Sequence, residues 1–262
     1  MSNDNRAIGI FDSGLGGLTV LKTLAEEFPH ESFLYVGDVA RLPYGNKSPE
    51  TIRRYGEQIM NFLLGRDVKL LIIACNTAST VFLGEDHYHG TPLFNVIDPG
   101  AQAAINVTRN NRIGVIGTNT TIQGHAYQRT IVAMRAAAIV TEMACPLFVP
   151  LAEEGMSNDP VTKMMAERYL APMKTAQVDT LVLGCTHYPL LKGDIAHVMG
   201  KDVKLIESGS VLVEKIKPKL NASGATKRQL SICTTDVTGA FERLSQQIMA
   251  PEHIPALERI VL

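Results

Sequence analysis

None of the four cysteines, Cys75, Cys145, Cys185 and Cys233, belongs to a CxxC pair, and they are scattered along 262 residues. Structural zinc sites usually draw their ligands from close pairs, so a four-cysteine site finds little support. Disulfides are not expected in a cytoplasmic chain of this size. Excess charge is also missing. The net charge of −1 leaves no electrostatic footprint for nucleic acid or an anionic membrane. No apolar run approaches the length that spans a bilayer. The first thirty residues carry Asp4, Asp12, Glu26 and Glu27 and no long apolar core, which argues against a signal peptide. A cytoplasmic location is the resulting expectation. Low-complexity segments and obvious linkers are absent. Neither a P-loop nor G-x-G-x-x-G occurs, so neither nucleotide fingerprint is met.

What the chain does have is 45% hydrophobic residues against 19% charged ones, the balance of a globular protein long enough for two domains. It also has one pattern twice. Val68-Lys-Leu-Leu-Ile-Ile-Ala-Cys75-Asn-Thr is matched by Val178-Asp-Thr-Leu-Val-Leu-Gly-Cys185-Thr-His. In each, an apolar β-branched run ends in a cysteine followed by small polar residues. Ile8-Gly-Ile-Phe11 pairs in the same way with Ile113-Gly-Val-Ile116, at nearly the same separation along the chain. Strands alternate with helices around both copies. Helices are expected over Leu18–Phe28, Ser48 to about Leu64, Asn76 into the low eighties, through Tyr127 and Met134, and Pro160–Ala171. Further strands are expected at Ser32–Val36, Leu93–Ile97 (closed by Asp98-Pro99-Gly100), Ala138–Met143 and Val203–Ile206, and a loop at Glu153-Glu154-Gly155. The fold class this predicts is α/β. Two pseudo-symmetric domains are expected, each a mostly parallel sheet flanked by helices. The expected boundaries are 1–97 plus 208–262 for the first domain and 98–207 for the second. The tail returns to the first with a helix around Glu214–Leu220 and a strand around Leu230–Thr234.

A strand that ends in a thiol puts the sulfur at the carboxyl edge of the sheet, where open α/β sheets bind ligands. If a helix begins at each cysteine, its N-terminus favours the thiolate. His187 follows Cys185 by two positions and could exchange a proton with it or with the substrate, and Asp12 closes the first strand of the half that carries Cys75. Cys145 and Cys233 lack such a setting and read as packing residues. The Asp12-Ser-Gly-Leu-Gly-Gly17 turn is either an anion-binding loop or a tight turn that requires glycine. Ser13, Asn76, Thr77, Thr118, Thr121 and Thr186 offer neutral donors for carboxylates. Glu85-Asp86-His87-Tyr-His89 reads as a solvated connector, not a metal loop. Nothing around Lys69, Lys192 or Lys204 suggests a pyridoxal phosphate site.

Four blocks, Asp12-Ser-Gly-Leu-Gly-Gly-Leu-Thr-Val20, Gly37-Asp38 with Arg41-Leu-Pro-Tyr-Gly45, Ala74-Cys-Asn-Thr-Ala78 and Gly184-Cys-Thr-His-Tyr-Pro189, resemble the signature blocks of bacterial glutamate racemases in order and spacing. The resemblance implies a cofactor-independent enzyme that interconverts L- and D-glutamate and supplies D-glutamate for peptidoglycan, usually as a homodimer, with the active site in the cleft between the two domains. It implies Cys75 and Cys185 as the acid/base pair, Asp12 assisting the first, and His187 and Glu153 assisting the second. Ser13, Tyr44, Gly45, Asn76, Thr77, Thr118, Thr121 and Thr186 would line the substrate. Thr120 stands where that family commonly has glycine in a Gly-Thr-x-Gly-Thr loop. Two other readings remain: another two-cysteine racemase acting on aspartate or a hydantoin, and a non-catalytic amino-acid-binding protein with a hinged cleft.

Overall fold

The strands β1 (Ile8–Asp12), β2 (Phe33–Gly37) and β3 (Leu70–Ile73) are buried at every position. Helices cover both faces of their sheet, so these strands are continuously apolar instead of alternating. A computed structural model describes residues 4–220, 228–252 and 254–262. Residues 1–3, 221–227 and 253 of the expected first domain lie outside the described residues. Between the first strands run α1 (Leu18–Glu27) and α2 (Pro49–Gly65). Ser48 caps α2 through its hydroxyl and Pro49 opens it, a pairing that suits a helix start. After β3 come α3 (Asn76–Ser79), β4 (His87–Tyr88), β5 (Thr91–Asn95) and α4 (Ile97–Val107).

The second series is β6 (Arg112–Gly117), α5 (Asn119–Gln123), α6 (Ala126–Met134), β7 (Ile139–Ala144), α7 (Phe148–Glu153) and α8 (Pro160–Thr175). It continues with β8 (Thr180–Gly184), α9 (Lys192–Met199) and β9 (Lys204–Ile206). The tail adds α10 (Ser208–Ile216), β10 (Leu230–Thr234), α11 (Gly239–Met249) and β11 (Glu258–Arg259).

The strands form two sheets, in the orders β11-β10-β2-β1-β3-β5-β4 and β7-β6-β8-β9. All pairings are parallel except β4 with β5. The run β2-β1-β3-β5 repeats as β7-β6-β8-β9, so the duplication in sequence is a duplication of topology. In both copies the chain winds first to one side of its opening strand and then to the other. The reversal leaves a crevice at the carboxyl ends of β1 and β3, and of β6 and β8. Cys75 follows β3 and Cys185 follows β8. β10 pairs with β2, which places the tail on the first sheet.

Each sheet is packed on both faces. On one face of the first lie Leu21 and Leu24 of α1, Leu212 and Ile216 of α10, and Phe241 of α11. Ile52, Ile59 and Leu63 of α2 cover the other. The second sheet is covered by Leu170 and Met173 of α8 with Ile195 of α9, and oppositely by Ala101 and Ala104 of α4 with Ile131 of α6.

Three local expectations are corrected. The strand expected to run to Ile97 stops at Asn95, and Asp98-Pro99-Gly100 is the first turn of α4, not a closing loop. Asn95 Oδ1 accepts from the N–H groups of Ile97 and Asp98, so an amide side chain starts the helix. Glu153 ends helix α7 and does not open a loop. The segment Glu85–His89 contributes strand β4 and is not wholly a connector.

Candidate active site

The end of β3 is held against β1 by the bond from Ala74 N–H to Phe11 O, 2.9 Å long, and this fixes where Cys75 emerges. Cys75 caps α3: the Ala78 N–H points at Sγ across 3.4 Å. The thiol in turn donates to Ser13 Oγ at 3.6 Å. Cys75 is 4% exposed. Burial, and then the nearby Asp12 carboxylate, push its thiol up to about 12. That reverses the lowering expected from a helix start. α3 is only four residues long, and its weak dipole does not offset the loss of water. The protein without substrate therefore holds Cys75 protonated at neutral pH.

Cys185 does not begin an α-helix, which corrects the second half of that expectation. A turn follows it, then a short 3-10 segment at Tyr188–Leu191, and only then α9. Its companion is His187, buried, with Nδ1 3.8 Å from the sulfur and Nε2 3.0 Å from Glu153 Oε1. Burial alone would lower the imidazole, but its bonds to Cys185 and Glu153 outweigh that and raise it to about 10. Glu153 reaches the ring because α7 ends there, whereas the neighbouring Glu154 is exposed. The two thiols thus differ in company: a carboxylate stands near Cys75 and a protonated imidazole beside Cys185.

Both sulfurs line one cavity. Ser13, Tyr44, Gly45, Asn76 and Thr77 reach it from the first sheet, and Thr118, Thr186 and His187 from the second. Asp12, Thr121 and Glu153 do not line it but lie behind residues that do. Asp12 is fully buried and accepts from Gly14 N–H at 3.0 Å and from Thr186 Oγ1 at 3.2 Å. Thr121 closes a triangle of hydroxyls in which Thr77 lies 2.9 Å from Thr118 and 3.1 Å from Thr121. The Asn76 amide is oriented by Tyr127 Oη, which donates to Oδ1 at 2.7 Å, and by Ser208 Oγ, which accepts from Nδ2 at 3.2 Å.

The glycines of the first turn answer the question left open about it. None of Gly14, Gly16 and Gly17 has positive φ. Gly16 is needed for close approach instead. A Cβ there would lie 2.5 Å from Thr186 Oγ1 and 2.6 Å from His187 Nδ1, on the other side of the cleft.

Sequence reasoning missed Leu42, Pro43 and Val149, the apolar part of the wall. An aliphatic side chain carries no chemical signal of its own, although Leu42 and Pro43 fall inside a block already singled out. Lys69, Lys192 and Lys204 lie outside the cavity; Lys69 pairs with buried Glu31, and Lys192 with Glu207 at 2.5 Å. Among the described residues no cluster of three or more His, Cys, Asp or Glu could hold a metal ion.

Two sulfurs on one cavity, each with its own proton-handling neighbours and surrounded by neutral donors, can remove a proton from one side of a small molecule and return one to the other. Known proteins are similar to the chain over most of its length. The Asp/Glu/Hydantoin racemase family profile matches residues 11–216. A glutamate racemase of Geobacter metallireducens is 52% identical over 204 residues, covering 78% of this chain and 76% of its own. The crystal structure of the glutamate racemase isoform RacE1 of Bacillus anthracis superposes with a TM-score of 0.92 at 32% identity, over 98% of each chain. A glutamate racemase of Francisella tularensis, solved in complex with D-glutamate, gives 0.88 at 34% identity, again over 98% of each.

Proposed function

The chain belongs to the Asp/Glu/hydantoin racemase family, and on that premise we propose that it interconverts L- and D-glutamate with two thiols as its acid and base, without a cofactor. The observation that carries this reading is that Cys75 and Cys185, from equivalent strand ends of two repeated sheets, line the same cavity. One sulfur, as thiolate, takes the α-proton. The opposite thiol gives its proton to the other face of the carbanion, and the configuration inverts. The reverse reaction exchanges the two roles, which suits a site built twice.

The α-hydrogen beside a carboxylate is a weak acid, so the carbanion needs stabilisation as it forms. Neutral donors preorganised in a water-poor site supply that. Asn76, Thr77, Thr118, Thr186 and the hydroxyl of Ser13 are placed for it. His187 and Glu153 serve the proton traffic of Cys185. Asp12 serves Cys75 through Ser13 and Gly14, at the turn that carries Ser13. The relatives named glutamate racemase favour glutamate over aspartate.

We assign residues 1–97 with 208–262 to one domain and 98–207 to the other. The supporting observation is that β10 and β11 extend the first sheet while β6 to β9 form the second. Supply of D-glutamate to peptidoglycan, a homodimer and a cytoplasmic location complete the proposal. Among the described residues no helix is long and apolar enough to cross a membrane. The test is direct: the purified protein, with no added cofactor, is given L-glutamate or L-aspartate and the enantiomers are resolved by chiral chromatography. Racemised glutamate with untouched aspartate supports the proposal. Binding without turnover would favour the amino-acid-binding alternative.

A further inference from the structure

The free space between the two thiols is about 20 Å³. That is room for about one water molecule and not for a five-carbon dicarboxylate. The cavity must open before a substrate is admitted. Just outside it lies a groove of about 830 Å³ that shares Gly45 as a wall and has Lys47, Asn119, Thr120 and Arg129 around it. What separates groove from cavity is the meeting of two segments: the short 3-10 turn Tyr44–Asn46 from the first sheet and α5 from the second.

Two side chains of α5 hold the turn, and Thr120 makes the shorter bond. Thr120 Oγ1 donates to Gly45 O at 2.8 Å and lies 3.4 Å from Lys47 O. The adjacent Asn119 Nδ2 makes a longer contact with Asn46 Oδ1, at 3.3 Å. Behind the join there is no slack: a Cβ on Gly45 would sit 2.7 Å from Thr118 Cβ. The turn is tied to its own half by Tyr44 Oη donating to the buried carboxylate of Asp38. Thr120, by contrast, is only partly buried, so its hydroxyl can pass to water when the halves part. At the mouth itself, the tie within the first half is buried and the bond to α5 is the more accessible one.

We propose that Thr120 bolts the mouth of the cavity. Its hydroxyl holds the Tyr44–Asn46 turn against α5, and admission and release of the dicarboxylate require that bond to break. Thr120 is thereby a positioning residue, acting through Gly45 and Thr118. The identity of the ligand rests on the racemase reading above, whereas the bolt itself does not.

The test is hydrogen–deuterium exchange by mass spectrometry on the substrate-free protein, comparing wild type with Thr120→Val and Thr120→Ser. Valine keeps the branched shape without a donor, and serine keeps the donor. Losing one hydrogen bond that holds a local opening should speed exchange in peptides covering 44–48 and 118–124 by about fivefold in Thr120→Val. Peptides from β3 and β8 should not change, and Thr120→Ser should follow wild type. Exchange in Thr120→Val that matches wild type, or that accelerates equally everywhere, overturns the proposal. Local acceleration in a protein that racemises no glutamate would leave the bolt standing and remove the catalytic reading.

Discussion

Thr186 Oγ1 donates to Asp12 Oδ1 at 3.2 Å, so the residue after the second cysteine is bonded to the carboxylate that stands near the first. This bond crosses between the two sheets, and it is made where both strand ends face one cavity. Neither half is a complete site: the Asp12 carboxylate near Cys75 accepts a bond from Thr186 of the opposite half.

Gly16 tests that closeness. An added methyl group would meet Thr186 and His187 across the cleft, not the core of its own sheet. Gly16→Ala is therefore expected to hold the halves apart and displace the second thiol. Misplacement by about an ångström can cost about 100-fold in rate. The expected result is a fall in kcat/KM for glutamate of about 10- to 100-fold, read by circular dichroism of the turnover mixture. Retained full activity would mean that the two halves do not close as described.

Cys75 offers a titration. Its thiol is pushed up to about 12 by burial and by Asp12. The difference in absorbance near 240 nm between wild type and Cys75→Ala should therefore stay flat through pH 9, where an ordinary thiol is half ionised. A thiolate signal from Cys75 with its midpoint at or below pH 9 would contradict this.

His187 gives a stability prediction with a definite sign. Its folded value is raised from 6.5 to about 10 by its bonds to Cys185 and Glu153, against the pull of burial. A raised value means that the folded state binds the proton more tightly than the unfolded chain. The stabilisation is therefore complete below about pH 6.5 and is lost as pH rises toward about 10. Urea unfolding of wild type and His187→Gln should show a difference that is largest at pH 6 and shrinks toward pH 10. A difference that grows with pH would place the proton elsewhere.

Much of the fold was legible because its signals were local and repeated. The apolar runs before Cys75 and Cys185 are buried strands flanked by helices, and the matching Ile-Gly-Ile-Phe and Ile-Gly-Val-Ile runs open the two sheets. Where reading failed, the deciding contact was tertiary. Asp98-Pro99-Gly100 has the composition of a turn, yet the side chain of Asn95 recruits it as a helix start. The protonation of Cys75 was misjudged because a sequence shows a helix start but not its length or the depth of burial. Val149 reaches the cavity from α7, a helix that the sequence pattern did not reveal. Thr120 departs from the resembled loop pattern, but its acceptors are backbone carbonyls distant in sequence, which no motif records.

The account depends on two sulfurs working on opposite faces of one carbon, and racemisation of L-glutamate in deuterated water tests it most directly. Early in the reaction the newly formed D-glutamate should carry deuterium at the α-carbon while the remaining L-glutamate stays protonated. Deuterium appearing in recovered L-glutamate as fast as in the product would show one base serving both faces, and would contradict the two-thiol mechanism.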